Sequence, residues 1–221
     1  MTKKKTLVLA GATGLVGGEV LRLALADPAF SRVTALVRRP LGGDAARHPK
    51  LVERLVDFDR LERHHAALGA DAVISALGTT IRAAGSQAAF RRADYEYPLA
   101  LARLALAEGA RHFLLVSALG AAARSPFFYN RVKGELEDAV LALGYPAVTI
   151  VRPSLLLGER REFRLGEEIA KRFGFLAPGK YKPVAAHDVA AALVAAAREG
   201  AAGVRIVESD AIGRSARRRL R

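Results

Sequence analysis

Hydrophobic and polar positions fall into short apolar runs separated by longer stretches whose apolar residues recur three or four apart. The runs Thr6–Ala10, Arg32–Val37, Leu51–Val56, Asp71–Ala76, Arg111–Val116 and Ala147–Val151 read as strands, with Val204–Val207 as a candidate last strand. Continuous apolar runs of this length suit strands buried on both faces. The intervening patterns predict helices over Gly14–Ala26, Leu61–Leu68, Phe90–Glu108, Tyr129–Leu143 and His187–Arg198. Asp27-Pro28, Gly109, Gly144 and Gly200 supply the stop signals. Strand and helix alternate along the chain, which implies right-handed crossovers and an α/β fold with a doubly wound parallel sheet.

No composition break marks a linker and no repeat recurs at a fixed period, so residues 1–221 read as a single domain. The stretch from Ser154 to Pro183 is the least regular. It follows the sixth strand, beyond the carboxyl ends where such sheets bind ligands, and is expected to form a small substrate cap. Residues 213–221 are expected to form a flexible basic tail.

Composition narrows the classes. At 51% hydrophobic and 26% charged, the chain can bury a substantial core, which excludes wholesale disorder. It has no cysteine, so disulfides, thiolate nucleophiles, Cys-based zinc sites and iron–sulfur clusters are excluded. The net charge is +13, but Lys3–Lys5 and five arginines from Arg214 to Arg221 concentrate much of it at the two ends; setting those eight aside leaves +5. A basic tail binds phosphates without sequence preference. With Arg outnumbering Lys 27 to 8 in an Ala-rich chain, nucleic acid ranks last among partners. Lys3–Lys5 and the apolar residues behind them resemble a signal peptide, yet glycines interrupt the run and Glu19 follows at once. No stretch reaches the roughly 20 apolar residues of a membrane span. The default expectation is a cytoplasmic protein with a small-molecule substrate, a homodimer being the candidate assembly.

Candidate chemistry begins after the first strand. Gly11-Ala-Thr13-Gly14-Leu15-Val16-Gly17 has GxxGxxG spacing and leads into a helix. Glycines permit a tight turn and close approach to a pyrophosphate, whose charge is favoured at a helix N-terminus. The second strand ends in Arg38-Arg39, where an NAD site would carry a carboxylate for the ribose hydroxyls. Two guanidinium groups there suit a 2′-phosphate, favouring NADP(H) over NAD(H); a solvated basic loop is the other reading. Ala76, Leu77 and Gly78 end the fourth strand with room for a cofactor ribose. Asp57 reads equally as an adenine contact or a helix N-cap.

Tyr129 and Lys133 stand at i and i+4, which puts both on one helix face. A free tyrosine titrates near pH 10, and a neighbouring ammonium favours its phenolate. Tyrosine can then exchange a proton with a carbonyl oxygen, and Ser117, at a strand's carboxyl end, can hydrogen-bond the same oxygen. The five histidines offer no metal-ligand spacing, so no metal site is expected.

GATGLVG, LLVSALG, YNRVK and VRPSLLLG together resemble the atypical, extended-type short-chain dehydrogenase/reductases, from about Thr6 to Val207. SALGTTIRAAGS, FRRADYEYPLALA and FYNRVKGELE are similar to the small Tat-interacting-protein-type oxidoreductases. The resemblance implies a Rossmann-like domain binding NADP(H), with Ser117, Tyr129 and Lys133 as catalytic triad. It also implies that Lys133 holds the nicotinamide ribose and that Pro153 packs beside the nicotinamide. The implied function is hydride transfer on a small carbonyl or alcohol. Two departures stand out: Asp94 occupies the place of an asparagine that helps organise a proton relay in many reductases, and the cap is short for a nucleotide-sugar. The alternative is an NADP(H)-sensing regulator or scaffold with little turnover.

Overall fold

The computed structural model describes residues 4–157 and 181–217. Seven parallel strands form the main sheet: β1 (Lys5–Ala10), β2 (Phe30–Val37), β3 (Leu51–Leu55), β4 (Ala72–Ser75), β5 (His112–Val116), β6 (Ala147–Arg152) and β9 (Gly203–Glu208). Between β6 and β9 in sequence, two residues each of β7 (Leu156–Leu157) and β8 (Val184–Ala185) pair in a separate parallel ribbon. The helices are α1 (Leu15–Ala26), α2 (Ile81–Ala84), α3 (Gln87–Arg91), α4 (Tyr97–Ala107), α5 (Phe128–Leu141), α6 (Ala186–Glu199) and α7 (Ser209–Arg217).

The strand order is β3-β2-β1-β4-β5-β6-β9. From β1 the chain winds outward through β2 and β3, then returns to β4 on the other side of β1. That reversal opens a crevice at the carboxyl ends of β1 and β4, the place where doubly wound sheets bind ligands. Alternate residues of the inner strands feed two cores. Leu7, Leu9, Val33 and Val151 face α1 and α6, while Val8, Ala10, Phe113 and Ile150 face α4 and α5. This explains why the strands read as unbroken apolar runs.

The sequence predicts one helix over Phe90–Glu108, but the structure breaks it. Between α3 and α4 lies a π-helical segment, Arg92–Glu96, in which the Tyr97 N–H donates to the Arg92 carbonyl. Pro98 follows and has no N–H to offer, which loosens the ordinary ladder at this point. The predicted helix Leu61–Leu68 is a 3-10 stretch that starts earlier, Phe58–Ala67. At the far end α7 continues to Arg217, within residues read from the sequence as flexible tail. Most of the expected cap, residues 158–180, lies outside the described residues, together with Arg160, Arg161, Phe163, Arg164 and Phe173.

Candidate active site

The glycine loop is shaped by contacts that only glycine permits. Gly11 has φ +91°, and a Cβ there would lie 2.4 Å from the Ala76 carbonyl oxygen. A Cβ on Gly17 would lie 2.0 Å from the Gly11 oxygen. The first contact brings β1 and β4 together at the crevice; the second lets α1 start directly beneath the loop. No side chain caps α1 at Gly14 and no acidic residue sits in its first turn. Its first N–H groups and dipole therefore meet no competing anion from the helix's own cap or first turn, which suits a pyrophosphate. The resulting cleft has about 430 Å³ of open space, lined by Gly11–Gly14, Leu36–Arg38, Phe58 and Ala76–Gly78.

A second cluster lies at the carboxyl ends of β4 and β5. Ser117, just past β5, is buried, and its N–H donates to the Val151 carbonyl at 2.8 Å. Its hydroxyl meets no partner among the described residues, so a buried donor is left available. The loop after Ser117 is tied to α5: Asn130 Nδ2 donates to the Gly120 carbonyl, and the Ala122 N–H to the Asn130 carbonyl. A Cβ on Gly134 would lie 2.2 Å from the Ala122 carbonyl carbon, so this glycine lets the loop press onto the helix. Tyr129 is half-buried, its ring 5.4 Å from that of Phe90.

Lys133 is buried one turn beyond Tyr129, and its Nζ lies 2.7 Å from Asp94 Oδ1. That oxygen meets no donor at a hydrogen-bonding angle, so the contact is an ion pair rather than an aligned hydrogen bond. The other oxygen, Oδ2, accepts from the Thr79 N–H at 2.8 Å. Burial pushes the Asp94 carboxyl above its usual range, opposed by Lys133 and the Thr79 N–H. For Lys133 burial is the largest single influence and favours the neutral amine. Asp94, Tyr129 and Glu137 together outweigh it and hold the ammonium above its ordinary value.

A family profile described as NAD(P)H-binding matches residues 11–200. The chain belongs to the NAD(P)H-binding family. Among its relatives, the FMP52 protein of Candida albicans is 37% identical over 205 residues, covering 88% of this chain and 89% of that protein. Protein HTATIP2 of Rattus norvegicus is 38% identical over 172 residues, 77% and 71% of the two chains. The fold is shared with the UDP-N-acetylglucosamine 4-epimerase of Methanobrevibacter ruminantium, at TM-score 0.71 and 15% identity over 94% of this chain and 77% of the epimerase. It is also shared with the Bordetella bronchiseptica enzyme WbmG, solved with NAD, at TM-score 0.68 and 17% identity over 93% and 73%. The resemblance to the small Tat-interacting-protein-type proteins thus holds at the level of family through HTATIP2, and the Rossmann-like fold is the one shared with the epimerase. The cytoplasmic expectation does not hold: the FMP52 relatives are named as mitochondrial proteins.

For this NAD(P)H-binding chain the expected cofactor residues fall into groups. Gly11, Thr13, Gly14, Arg38, Ala76, Leu77 and Gly78 line the cleft. Leu15, Val16 and Gly17 form the first turn of α1 just behind it, with Val16 and Gly17 buried. Arg39 is exposed beside Arg38 and outside the lining. Asp57 caps the 3-10 stretch by accepting from the Asp59 N–H at 3.0 Å; its neighbour Phe58 lines the cleft instead. Pro153 is buried after β6, and its carbonyl accepts from the Leu119 N–H. Ala12, Leu36, Val37 and Phe58 are cleft residues that sequence reasoning missed; an aromatic residue three positions past β3 was the available signal for Phe58. Among the described residues no cluster of His, Asp and Glu could hold a metal ion, and no helix is long and apolar enough to cross a membrane.

Proposed function

We propose that the protein is an NADP(H)-dependent oxidoreductase that interconverts a small carbonyl compound and its alcohol. The observation that carries this reading is the buried Ser117 hydroxyl, without a partner among the described residues, at the head of a loop tied to α5, the helix that carries Tyr129 and Lys133. The uncapped start of α1 and the glycine cradle fit the pyrophosphate, and Arg38 at the cleft wall fits a 2′-phosphate. When bound, the cofactor supplies the hydride. Ser117 donates a hydrogen bond to the substrate oxygen and holds it near the Tyr129 hydroxyl. Tyr129 gives its proton to that oxygen as negative charge develops there, so the carbonyl gains one hydride and one proton and leaves as an alcohol. Lys133 supports the resulting phenolate and is assigned to the cofactor's ribose.

A second reading, an NADP(H)-responsive protein with little turnover, is favoured by one observation: the Lys133 ammonium is already ion-paired with Asp94. The two separate in one experiment. NADPH consumption is followed across a panel of aliphatic and aromatic aldehydes and ketones, alongside NADPH-induced change in melting temperature. The oxidoreductase reading expects turnover of at least one carbonyl. Stabilisation by NADPH with no turnover across the panel supports the second reading.

A further inference from the structure

Position 94 suits an anion, because a donor group faces each of its two oxygens. Asp94 lies in the π-helical segment before α4 and is fully buried. Oδ1 faces the Lys133 ammonium at 2.7 Å, and Oδ2 accepts from the backbone N–H of Thr79 at 2.8 Å. Both partners are donors. The strap Ala76–Thr79 follows β4, and its first three residues form one wall of the nucleotide cleft. A Cβ on Gly78 would lie 3.4 Å from Asp94 Oδ1 and 3.7 Å from Lys133 Nζ, so the strap runs directly over the pair. One carboxylate thus joins the cleft wall to the lysine of α5. Glu137, the other anion that acts on Lys133, is engaged by Arg152 from β6.

We infer that Asp94 is a positioning residue that fixes the Lys133 ammonium against the cofactor-bearing strap, and that a carboxylate rather than an amide is required to do so. An asparagine offers one acceptor and one NH₂ group. Whichever way it is turned, the NH₂ points at a donor, either the ammonium or the Thr79 N–H. At a buried position that mismatch is costly, because the unpaired donors are shielded from bulk solvent. The asparagine-to-aspartate departure noted in the sequence is thereby a requirement of this site's geometry. The inference rests on the assignment of Lys133 to the cofactor and not on turnover.

The test is a double-mutant cycle on four full-length proteins: the parent, Asp94→Asn, Lys133→Met and the double variant. Dissociation constants for NADPH and NADH are measured by nucleotide fluorescence, and each melting curve is recorded. In the parent, Asp94→Asn is expected to weaken the preferred cofactor by about tenfold, the usual order for a lost charged contact. With Lys133→Met already present, it is expected to change affinity less than about twofold, because the amide then has only the Thr79 N–H to satisfy. If Asp94→Asn fails to fold, the double variant is expected to fold and melt close to Lys133→Met alone. Equal losses of affinity in both backgrounds would assign Asp94 a structural role only and overturn the inference. Unchanged affinity in a folded Asp94→Asn protein, or in Lys133→Met, also overturns it. Because the cycle uses no turnover, a failed carbonyl screen leaves it intact.

Discussion

Gly17 stands so close to Gly11 that a methyl group on Gly17 would sit 2.0 Å from the Gly11 carbonyl oxygen. Both atoms are backbone-fixed: Gly11 turns the chain out of β1 with φ +91°, and Gly17 lies in the first turns of α1. Gly17→Ala must therefore push the loop away from the helix start. The N–H groups that α1 offers to a pyrophosphate would move with it. NADPH and NADH affinity, measured by fluorescence titration, should both fall by tenfold or more, since the pyrophosphate is common to them. Gly18→Ala is the control, because its Cβ would meet only the Ala12 oxygen, at an ordinary 3.6 Å.

Arg38 and Arg39 should separate. Arg38 is part of the cleft wall while Arg39 is exposed outside it. Losing a charge-assisted contact costs about 1.5–3 kcal/mol, so Arg38→Ala should weaken NADPH by about tenfold or more and leave NADH nearly unchanged. Arg39→Ala should cost less than Arg38→Ala. Isothermal titration with the two cofactors measures both effects.

The sheet's far side carries a buried ionic brace. Arg152 at the end of β6 reaches the nearly buried Glu137 of α5 and, at 2.9 Å, Glu208 at the end of β9. Arg152→Met would strand the Glu137 carboxylate without its partner. Breaking a buried pair in this way costs about 3–5 kcal/mol, which urea denaturation would register. Glu208→Gln, at the more exposed end, should cost well under half as much.

His112 should make stability fall in mild acid. It is buried at the start of β5, with Nε2 2.9 Å from Thr149 Oγ1 and Nδ1 without a partner among the described residues. Burial, aided by the charge of Lys5, lowers its pKa to about 4. The unfolded chain binds a proton there near pH 6.5 and the folded chain only near 4, so between those values the unfolded state holds more protons. Stability is thus lost as pH falls from about 6.5 to about 4, on the order of 3 kcal/mol in all. Urea midpoints across that window measure the slope, which His112→Gln should flatten.

The parallel sheet was legible because its inner strands are buried on both faces, leaving apolar runs such as Leu7–Ala10 and Phe113–Leu115. The glycine loop was legible because its spacing is local. The break at Arg92–Glu96 was not, since apolar periodicity continues across it; only Pro98 hinted that the ladder loosens there. Asp57 read equally as an adenine contact or a helix N-cap, and its Oδ1 makes the cap bond, accepting from the Asp59 N–H. The Asp94–Lys133 pair spans 39 positions in sequence, and no local pattern announces such a contact. Asp94 drew notice only as a departure from a family motif. Gly134 was read simply as part of a helix, because its role depends on a loop folding back from Ala122.

The most direct test of the account is the rate of NADPH consumption by Tyr129→Phe beside the parent, with the best carbonyl from the panel at saturating cofactor. The substitution keeps the ring against Phe90 and removes only the hydroxyl. The account predicts a fall in kcat of about 10²–10⁴, the usual share of a general acid, with NADPH affinity nearly unchanged. A Tyr129→Phe protein that turns over at the parent rate would contradict it, because the proton would then come from another group.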